Sequence, residues 1–247
     1  MFCCLKGCLN GFSLTPNVPI RIKENPVQLD TLHMGHEMVI IKGGQRVCGS
    51  GCALGNAPLV QNKSYFEVKL QQGGVWAVGV ATRDTDLNRV HGGMDKESWC
   101  LNSDGTVRHS NIELYHLAQP PRESPTADLL VSTDSPTHTE NEKPESEKAN
   151  VAAVMPVEGD TIGVSFDHVD LNFFLNGKNM EIPVSSIKGT VYPALYGESV
   201  VPVSSIKGTV YPALYVDDGA ILDVIFENFL YPLPTGFEKI MVEQSLL

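Results

Sequence analysis

Two histidines and two cysteines near the start of the chain have the residue types and spacing of a metal site. Two residues separate His33 from His36, and three residues separate Cys48 from Cys52. Imidazole nitrogens and thiolates are the ligands of tetrahedral zinc. A turn at Gly43-Gly44 would pair positions whose numbers sum to about 87, which places His36 near Cys52. Neighbouring strand residues point to opposite faces, however, and a buried cysteine is commonly a small apolar side chain. We therefore expect no metal and no other cofactor.

The sequence contains none of the common catalytic motifs. There is no Gly-x-Ser-x-Gly elbow, no phosphate-binding glycine loop that ends in Lys-Ser/Thr, and no His-Glu-x-x-His pair. Two aspartate pairs, Asp84 with Asp86 and Asp217 with Asp218, fall in predicted turns. Aspartates in turns usually accept hydrogen bonds from nearby backbone N–H groups. We expect a protein that is not an enzyme.

Three cysteines, Cys3, Cys4 and Cys8, lie among apolar residues in a predicted flexible N-terminus, residues 1–24. Clustered thiols of this kind indicate reversible S-acylation, and two acyl chains are what stable membrane anchoring requires. A frayed tail with incidental cysteines is the alternative. Lys6 interrupts the apolar residues, so the segment does not read as a secretory signal. We therefore predict a cytoplasmic protein with reduced thiols, and peripheral membrane association through this tail is one of the two alternatives.

Composition narrows the class of partner. The 247 residues include 18 Lys and Arg against 29 Asp and Glu, a formal net charge of −11. An acidic chain is poorly suited to nucleic acid, whose phosphates require clustered basic residues. No apolar stretch approaches the roughly 20 residues that span a bilayer. We expect no nucleic-acid partner and no transmembrane span.

Short predicted strands separated by turns account for most of the chain. The clearest are residues 37–41, 46–48, 65–70, 75–81, 99–101, 106–108, 161–166, 171–175 and 221–226. Several alternate apolar and polar residues, whereas residues 75–81 are apolar throughout, as in the middle of a packed sheet. No window has a helical period over ten residues or so. The pattern predicts an all-β protein, specifically a β-sandwich.

Two segments interrupt this rhythm within a predicted domain at residues 25–243. Residues 118–150 are rich in Pro, Ser, Thr and Glu, which predicts a disordered acidic insert. Residues 183–196 read PVSSIKGTVYPALY, and residues 202–215 repeat them letter for letter. A sandwich has one place for a given strand, so one copy is surplus. The second copy leads through a short turn into the last strand, so we expect it to enter the sheet and the first to form a loop.

The order of several motifs resembles the SPRY domain family over roughly residues 27–241. They are YFEV at 65–68, GVWAVGVAT at 74–82, ESW at 97–99, GDTIGVSFD at 159–167, LNFFLNGK at 171–178, VYPALY at 210–215 and PTGF at 234–237. The resemblance implies a bent sandwich of two antiparallel sheets that serves as a non-enzymatic protein-interaction module. It also gives most of the matching residues structural roles, with Trp76 and Phe173 in the core and Asn176-Gly177 in a hairpin turn.

The resemblance further implies that a partner peptide binds loops at one edge of the sandwich. These loops correspond to residues 51–58, 83–95 and 216–219. The candidate binding residues are Arg83, Asp86, Arg89, His91, Met94, Asp217 and Asp218. The last two aspartates would favour a basic or amide-rich ligand. We predict a cytoplasmic adaptor; a lectin-like glycan-binding module and a membrane-tethered scaffold are the alternatives.

Overall fold

The computed structural model describes residues 26–117, 154–182, 206 and 208–242, and every regular element among them is a β-strand. The strands are β1 (Leu29–Met34), β2 (Glu37–Ile41), β3 (Arg46–Gly55), β4 (Ser64–Gln72), β5 (Val75–Ala81), β6 (Ser98–Asn102), β7 (Thr106–His109), β8 (Ile112–His116), β9 (Thr161–Phe166), β10 (Leu171–Leu175), β11 (Lys178–Asn179), β12 (Tyr211–Asp217), β13 (Ile221–Ile225) and β14 (Glu238–Lys239). The all-β prediction is confirmed.

Strand β3 belongs to both sheets of a bent sandwich. Its first half, residues 46–50, pairs with β2 and β13, and its second half, residues 51–55, pairs with β1 and β12. One sheet therefore runs β1-β3-β12-β5-β6-β7-β8 and the other β2-β3-β13-β4-β9-β10-β11. The change of sheet occurs at Gly49 and Gly51, which have positive φ values of 98° and 120°. Glycine adopts such values without the steric cost that a Cβ atom imposes.

The main core lies between the two sheets. Trp76 and Phe173 are buried in it, as predicted, beside residues such as Phe66, Val78 and Leu214. The β2–β3 hairpin has the predicted register, because Glu37 pairs with Ser50 and each later pair also sums to 87. The turn at Asn176-Gly177 has positive φ at both residues, as a type I′ hairpin turn requires. The local signals in the sequence therefore described these elements correctly.

Two features of the sheets were not evident from the sequence. The last strand, β14, pairs in parallel with the start of β4, whereas all the other pairings among the described strands are antiparallel. Residues 51–55, predicted to be part of a binding loop, lie within β3 instead.

The second copy of the repeat supplies β12, which lies between β3 and β5. The first copy, the insert 118–150 and the N-terminal segment 1–24 lie outside the described residues.

A long loop between β5 and β6, residues 82–97, covers the face of its sheet that points away from the main core. Below it is a second apolar cluster that contains Cys52, Cys100 and Tyr215. The Leu87 carbonyl accepts a hydrogen bond from the Cys52 backbone N–H at 2.8 Å. Further along the loop, Gly92 exchanges two hydrogen bonds with the Asn102 side chain, each at 3.2 Å. The loop is therefore packed on the sheet along its length.

Asp95 fixes the two ends of this loop to each other. Its carboxylate accepts hydrogen bonds from the Thr85 and Ser98 hydroxyls at 2.9 and 2.7 Å, and from the Asp86 and Glu97 backbone N–H groups at 3.1 and 3.0 Å. Burial raises the pKa of Asp95, but these four hydrogen bonds outweigh that effect and bring the pKa below its usual value. The charged form of Asp95 therefore stabilises the folded loop.

The Glu67 carboxyl group likewise fixes an irregular segment, on the outer face of the other sheet. Glu67 is fully buried and accepts hydrogen bonds from the backbone N–H groups of Leu230 and Tyr231, at 2.7 and 3.1 Å, and from the Tyr65 hydroxyl at 3.1 Å. Phe229 packs edge-on against Tyr65, with ring centroids 5.1 Å apart. The segment after β13 is thereby fixed over the outer face of this sheet.

Replacing Gly49 with alanine should destabilise the fold. A Cβ atom at this position would collide with the Glu37 backbone carbonyl, and the positive φ adds conformational strain. We expect G49A to lower the free energy of unfolding by at least about 2 kcal/mol, measured by urea titration. Gly73 has room for a Cβ atom and no positive φ. G73A is therefore the control and should change stability by less than about 0.5 kcal/mol. Equal effects of the two variants would contradict the role given to Gly49.

Replacing Asp95 with asparagine should remove a pH-dependent part of the stability. We expect D95N to lower the free energy of unfolding by about 2 kcal/mol near neutral pH, since two of the four donors would face an amide NH₂ group. The pKa of Asp95 is lower in the folded state than the value of about 3.9 in an unfolded chain, so its contribution exists above that value and disappears as the pH falls through the folded pKa.

The difference between wild type and D95N should therefore shrink below about pH 4, as measured by urea unfolding at several pH values. D86N is the matched control because Asp86 is exposed in the same loop and pairs only with nearby loop groups. It should cost less than about 1 kcal/mol. A difference between wild type and D95N that stays constant down to about pH 3 would contradict this account.

Candidate functional site

The predicted binding residues lie in separate places on the surface, and Arg83 has the most structured surroundings. It follows β5, and its guanidinium group lies over the ring of Tyr211, 4.3 Å from the ring centroid. Arg83 Nη1 also donates to Asp30 Oδ2 at 3.3 Å, and the His33 ring nitrogen Nδ1 lies 2.8 Å from the same oxygen. Because β5 and β12 are antiparallel, Ala81 at the end of β5 pairs with Tyr211 at the start of β12, and Arg83 follows two residues later.

Asp30 is the charged partner that orders this group. Burial raises the pKa of Asp30, but hydrogen bonds from the Leu32 backbone N–H, His33 and Arg83 outweigh it and bring the pKa below its usual value. Asp30 is therefore an anion at neutral pH and balances the charge of Arg83. The Arg83 side chain has 33% of its surface exposed, so it reaches solvent even though it contacts both Asp30 and Tyr211.

A depression opens to solvent beside Arg83 and Tyr211, with a volume of about 350 Å³. We call it the Arg83 depression. Its lining consists of Thr82, Arg83, Asp84, Glu97, Gly208, Thr209 and Tyr211. These residues come from both ends of the β5–β6 loop and from the start of β12. The depression therefore lies at the edge of the sandwich where β5 ends and β12 begins.

An exposed apolar side chain lies near this depression. Leu32 has 86% of its surface exposed, the largest fraction among the exposed large apolar side chains of the described residues. Its backbone N–H donates to Asp30 Oδ1 at 2.9 Å, and the other oxygen of that carboxylate binds Arg83. Strand β1 thus presents a leucine to solvent two residues from the charged partner of Arg83.

Met94 and His91 lie at a different place, near the β6–β7 turn. Met94 Sδ is 3.9 Å from Arg108 Nη1, and Arg108 forms an ion pair with Asp104 at 2.8 Å. Burial raises the pKa of Asp104, but hydrogen bonds from Thr106 and the charges of Arg108 and His91 bring it below its usual value. Met94 and His91 are therefore neighbours of an ion pair on β7 and do not line the Arg83 depression.

The remaining four candidates are dispersed. Asp86 and Arg89 form an exposed ion pair with each other at 3.2 Å. Asp217 pairs with Val75 at the far end of β12 from Tyr211, which is about 20 Å along a strand. Asp218 occupies the turn that follows, with φ of 47°. The structure does not bring these residues together with Arg83 into one site.

The four candidate zinc ligands do not form a metal site. Cys52 is fully buried in the second apolar cluster, and burial raises the pKa of its thiol, which disfavours the thiolate that zinc requires. His33 binds Asp30 instead, while His36 is exposed and Cys48 is half-buried. Within the described residues, no three His, Cys, Asp or Glu side chains are arranged to hold a metal ion.

Asp30, Glu97 and Tyr211 were not among the binding residues predicted from the sequence. Tyr211 was assigned only to a strand motif, and an anchoring aromatic residue was not recognised among the candidate loops. Finding Tyr211 would have required knowing that β12 pairs with β5 in antiparallel orientation. Cys3, Cys4 and Cys8 lie outside the described residues, so S-acylation stays a prediction. In the part of the chain that the structure describes, no helix is long and apolar enough to cross a membrane.

Known proteins resemble this chain in sequence and in fold. The profile of the SPRY domain matches residues 63–206. SPRY domain-containing protein 7 of Bos taurus and that of Homo sapiens are each 40% identical over 247 residues, covering 100% of this chain and 97% of the relative.

Among solved structures, the SPRY domain of human HERC1 covers 81% of this chain and 99% of its own, with a TM-score of 0.44 and 14% identity. The TRIM65 PSpry domain covers 82% and 90%, with a TM-score of 0.45 and 12% identity.

The sequence matches extend over most of the chain and agree with the motifs and the all-β sandwich. The full-length relatives are 40% identical, and the family profile spans more than half of the residues. SPRY domains are in general non-enzymatic modules that bind protein partners. This chain belongs to the SPRY domain family.

Proposed function

We propose that this protein binds a short extended peptide segment of a partner protein, with the Arg83 depression as the main contact. The observation that carries the proposal is the stack of Arg83 on Tyr211 beside an open depression. Arginine and tyrosine are the residue types that most often dominate the binding energy of protein interfaces. Both keep partial exposure here, at the loop edge where the family resemblance predicted binding.

The order of the surrounding loop supports this proposal. Asp95 fixes the β5–β6 loop, and Asp30 fixes the Arg83 side chain, so the surface exists before a ligand arrives. A preformed site avoids the entropic cost of ordering side chains during binding. Leu32, exposed on β1 nearby, would bury apolar surface against the same partner.

Glycan binding has less support at this place. Lectin-like sites stack a sugar ring on an open aromatic face. The Arg83 guanidinium already covers one face of Tyr211 in the Arg83 depression. The lining does provide hydroxyl and carboxylate oxygens, but these serve peptide donors equally well. Peptide recognition therefore accounts for more of the observed features than glycan recognition does.

Replacing Arg83 with alanine should weaken peptide binding. Peptides selected from a random library displayed on phage against the full chain would serve as probes, with affinity measured by fluorescence anisotropy. We expect R83A to raise Kd at least about tenfold, because the variant removes the guanidinium group and uncovers Tyr211. Y211L should have an effect of similar size.

R89A is the matched control, since Arg89 lies in the same loop but pairs only with exposed Asp86. It should change Kd less than about twofold. Thermal melting must first show that all variants are folded. Selected peptides that bind R83A and Y211L as tightly as wild type would overturn the placement of the site.

A further inference from the structure

We infer that the Arg83 depression accepts a cationic side chain, a lysine or an arginine, of the partner peptide. This inference rests on the proposed function and names the ligand chemistry of the same site. It was not accessible from the sequence, where the acidic bias was attributed to Asp217 and Asp218. Those residues lie at the opposite end of β12, so the charge at the depression is set by other groups.

Among the described residues that line the depression, Arg83 is the one cation, and its charge is already balanced. Arg83 donates to Asp30, which lies behind the lining, and stacks on Tyr211. The remaining charged groups of the lining are the carboxylates of Asp84 and Glu97. Counting Asp30 with Arg83, the described lining therefore has two further carboxylates, of which only Glu97 has a basic side chain, Lys96, within 4 Å. A cationic ligand side chain would be attracted to this place, whereas a carboxylate would be repelled.

The two carboxylates have acceptor capacity to spare. Glu97 Oε2 accepts from the Thr82 hydroxyl at 2.6 Å, and Glu97 Oε1 lies 3.7 Å from Lys96 Nζ. The Lys96 side chain is 82% exposed, so this contact is weak and a ligand can displace it. Asp84 is exposed, and its carboxylate accepts no hydrogen bond within the described ranges. A lysine ammonium has three donors and an arginine guanidinium five, which these oxygens can accept.

The shape and the wall chemistry also favour a long polar side chain. A volume of about 350 Å³ is at the lower end for a ligand pocket and suits one side chain better than a folded element. Three of the lining residues, Thr82, Thr209 and Tyr211, carry hydroxyl groups. An apolar side chain would remove water from two carboxylates without replacing its hydrogen bonds, which is unfavourable. Lysine and arginine place an aliphatic stem at the mouth and a charge at the carboxylates.

The test uses the full chain and the same library-selected peptides. Each lysine or arginine of a selected peptide is replaced in turn by glutamine, and each lysine also by Nε-acetyl-lysine, and Kd is measured at low and at physiological ionic strength. We expect one basic position whose neutralisation raises Kd at least about tenfold. The double variant D84N/E97Q should cause a loss of similar size and reduce the salt dependence of Kd.

The matched control is D217N/D218N, which removes the same number of charges at the far end of β12. At physiological ionic strength it should change Kd less than about twofold, since the charges are then separated from the depression by more than the Debye length of about 8 Å. The four substitutions in the protein, Asp to Asn and Glu to Gln, are close to isosteric, and thermal melting verifies that the variants are folded.

Three outcomes would overturn the inference. Equal losses in the two double variants would show a general effect of net charge. Peptides that depend on Arg83 and Tyr211 but tolerate neutralisation of every basic residue would refute the cationic ligand and leave the proposed function intact. Selected peptides that depend on neither Arg83 nor Tyr211 would refute both, because the depression would then not be the binding site.

Discussion

The two sheets of this protein depend on one strand that belongs to both. β3 pairs with β2 and β13 in its first half and with β1 and β12 in its second. The change is sharp because Gly49 and Gly51 adopt positive φ values, and because backbone atoms of Glu37 and Leu87 lie where Cβ atoms would be. A strand with ordinary side chains at these positions would twist smoothly and could not join both sheets. The relative placement of β12 and β1, and with it the loop edge, follows from this bend.

The partly buried Asp95 and the fully buried Glu67 fix the irregular segments that cover the two outer faces. Asp95 accepts four hydrogen bonds within the β5–β6 loop, and Glu67 accepts two from the backbone of the segment after β13 and one from Tyr65. Backbone N–H groups in such segments have no ladder partners, and a carboxyl group has several lone pairs that accept their hydrogen bonds. The result is a loop edge with little freedom, which is the condition for a preformed binding surface.

The repeated segment shows that local sequence alone does not specify which copy forms β12. The SPRY profile matches residues 63–206, which contain all of the first copy, whereas β12 is formed by the second. Because both copies read the same, only the flanking residues can distinguish them. The second copy continues with Val216, which is fully buried, and then turns at Asp218-Gly219 into β13. Gly197 follows the first copy and has no side chain to bury at that position.

The sequence by itself determined most of the longer strands, the register of the β2–β3 hairpin, the Asn176-Gly177 turn, the inward-facing Trp76 and Phe173, and the family, because periodicity, turn residues and motif order are local properties. It did not predict β1, β8, β11 and β14. It did predict that Arg83 lies in a loop after residues 75–81. Tertiary structure alone decided that residues 51–55 extend a strand, that Tyr211 and Asp30 flank Arg83, and that Asp217 lies at the other end of β12. Strand alternation specifies which residues share a face, but the pairing of distant strands specifies which of those faces and ends meet.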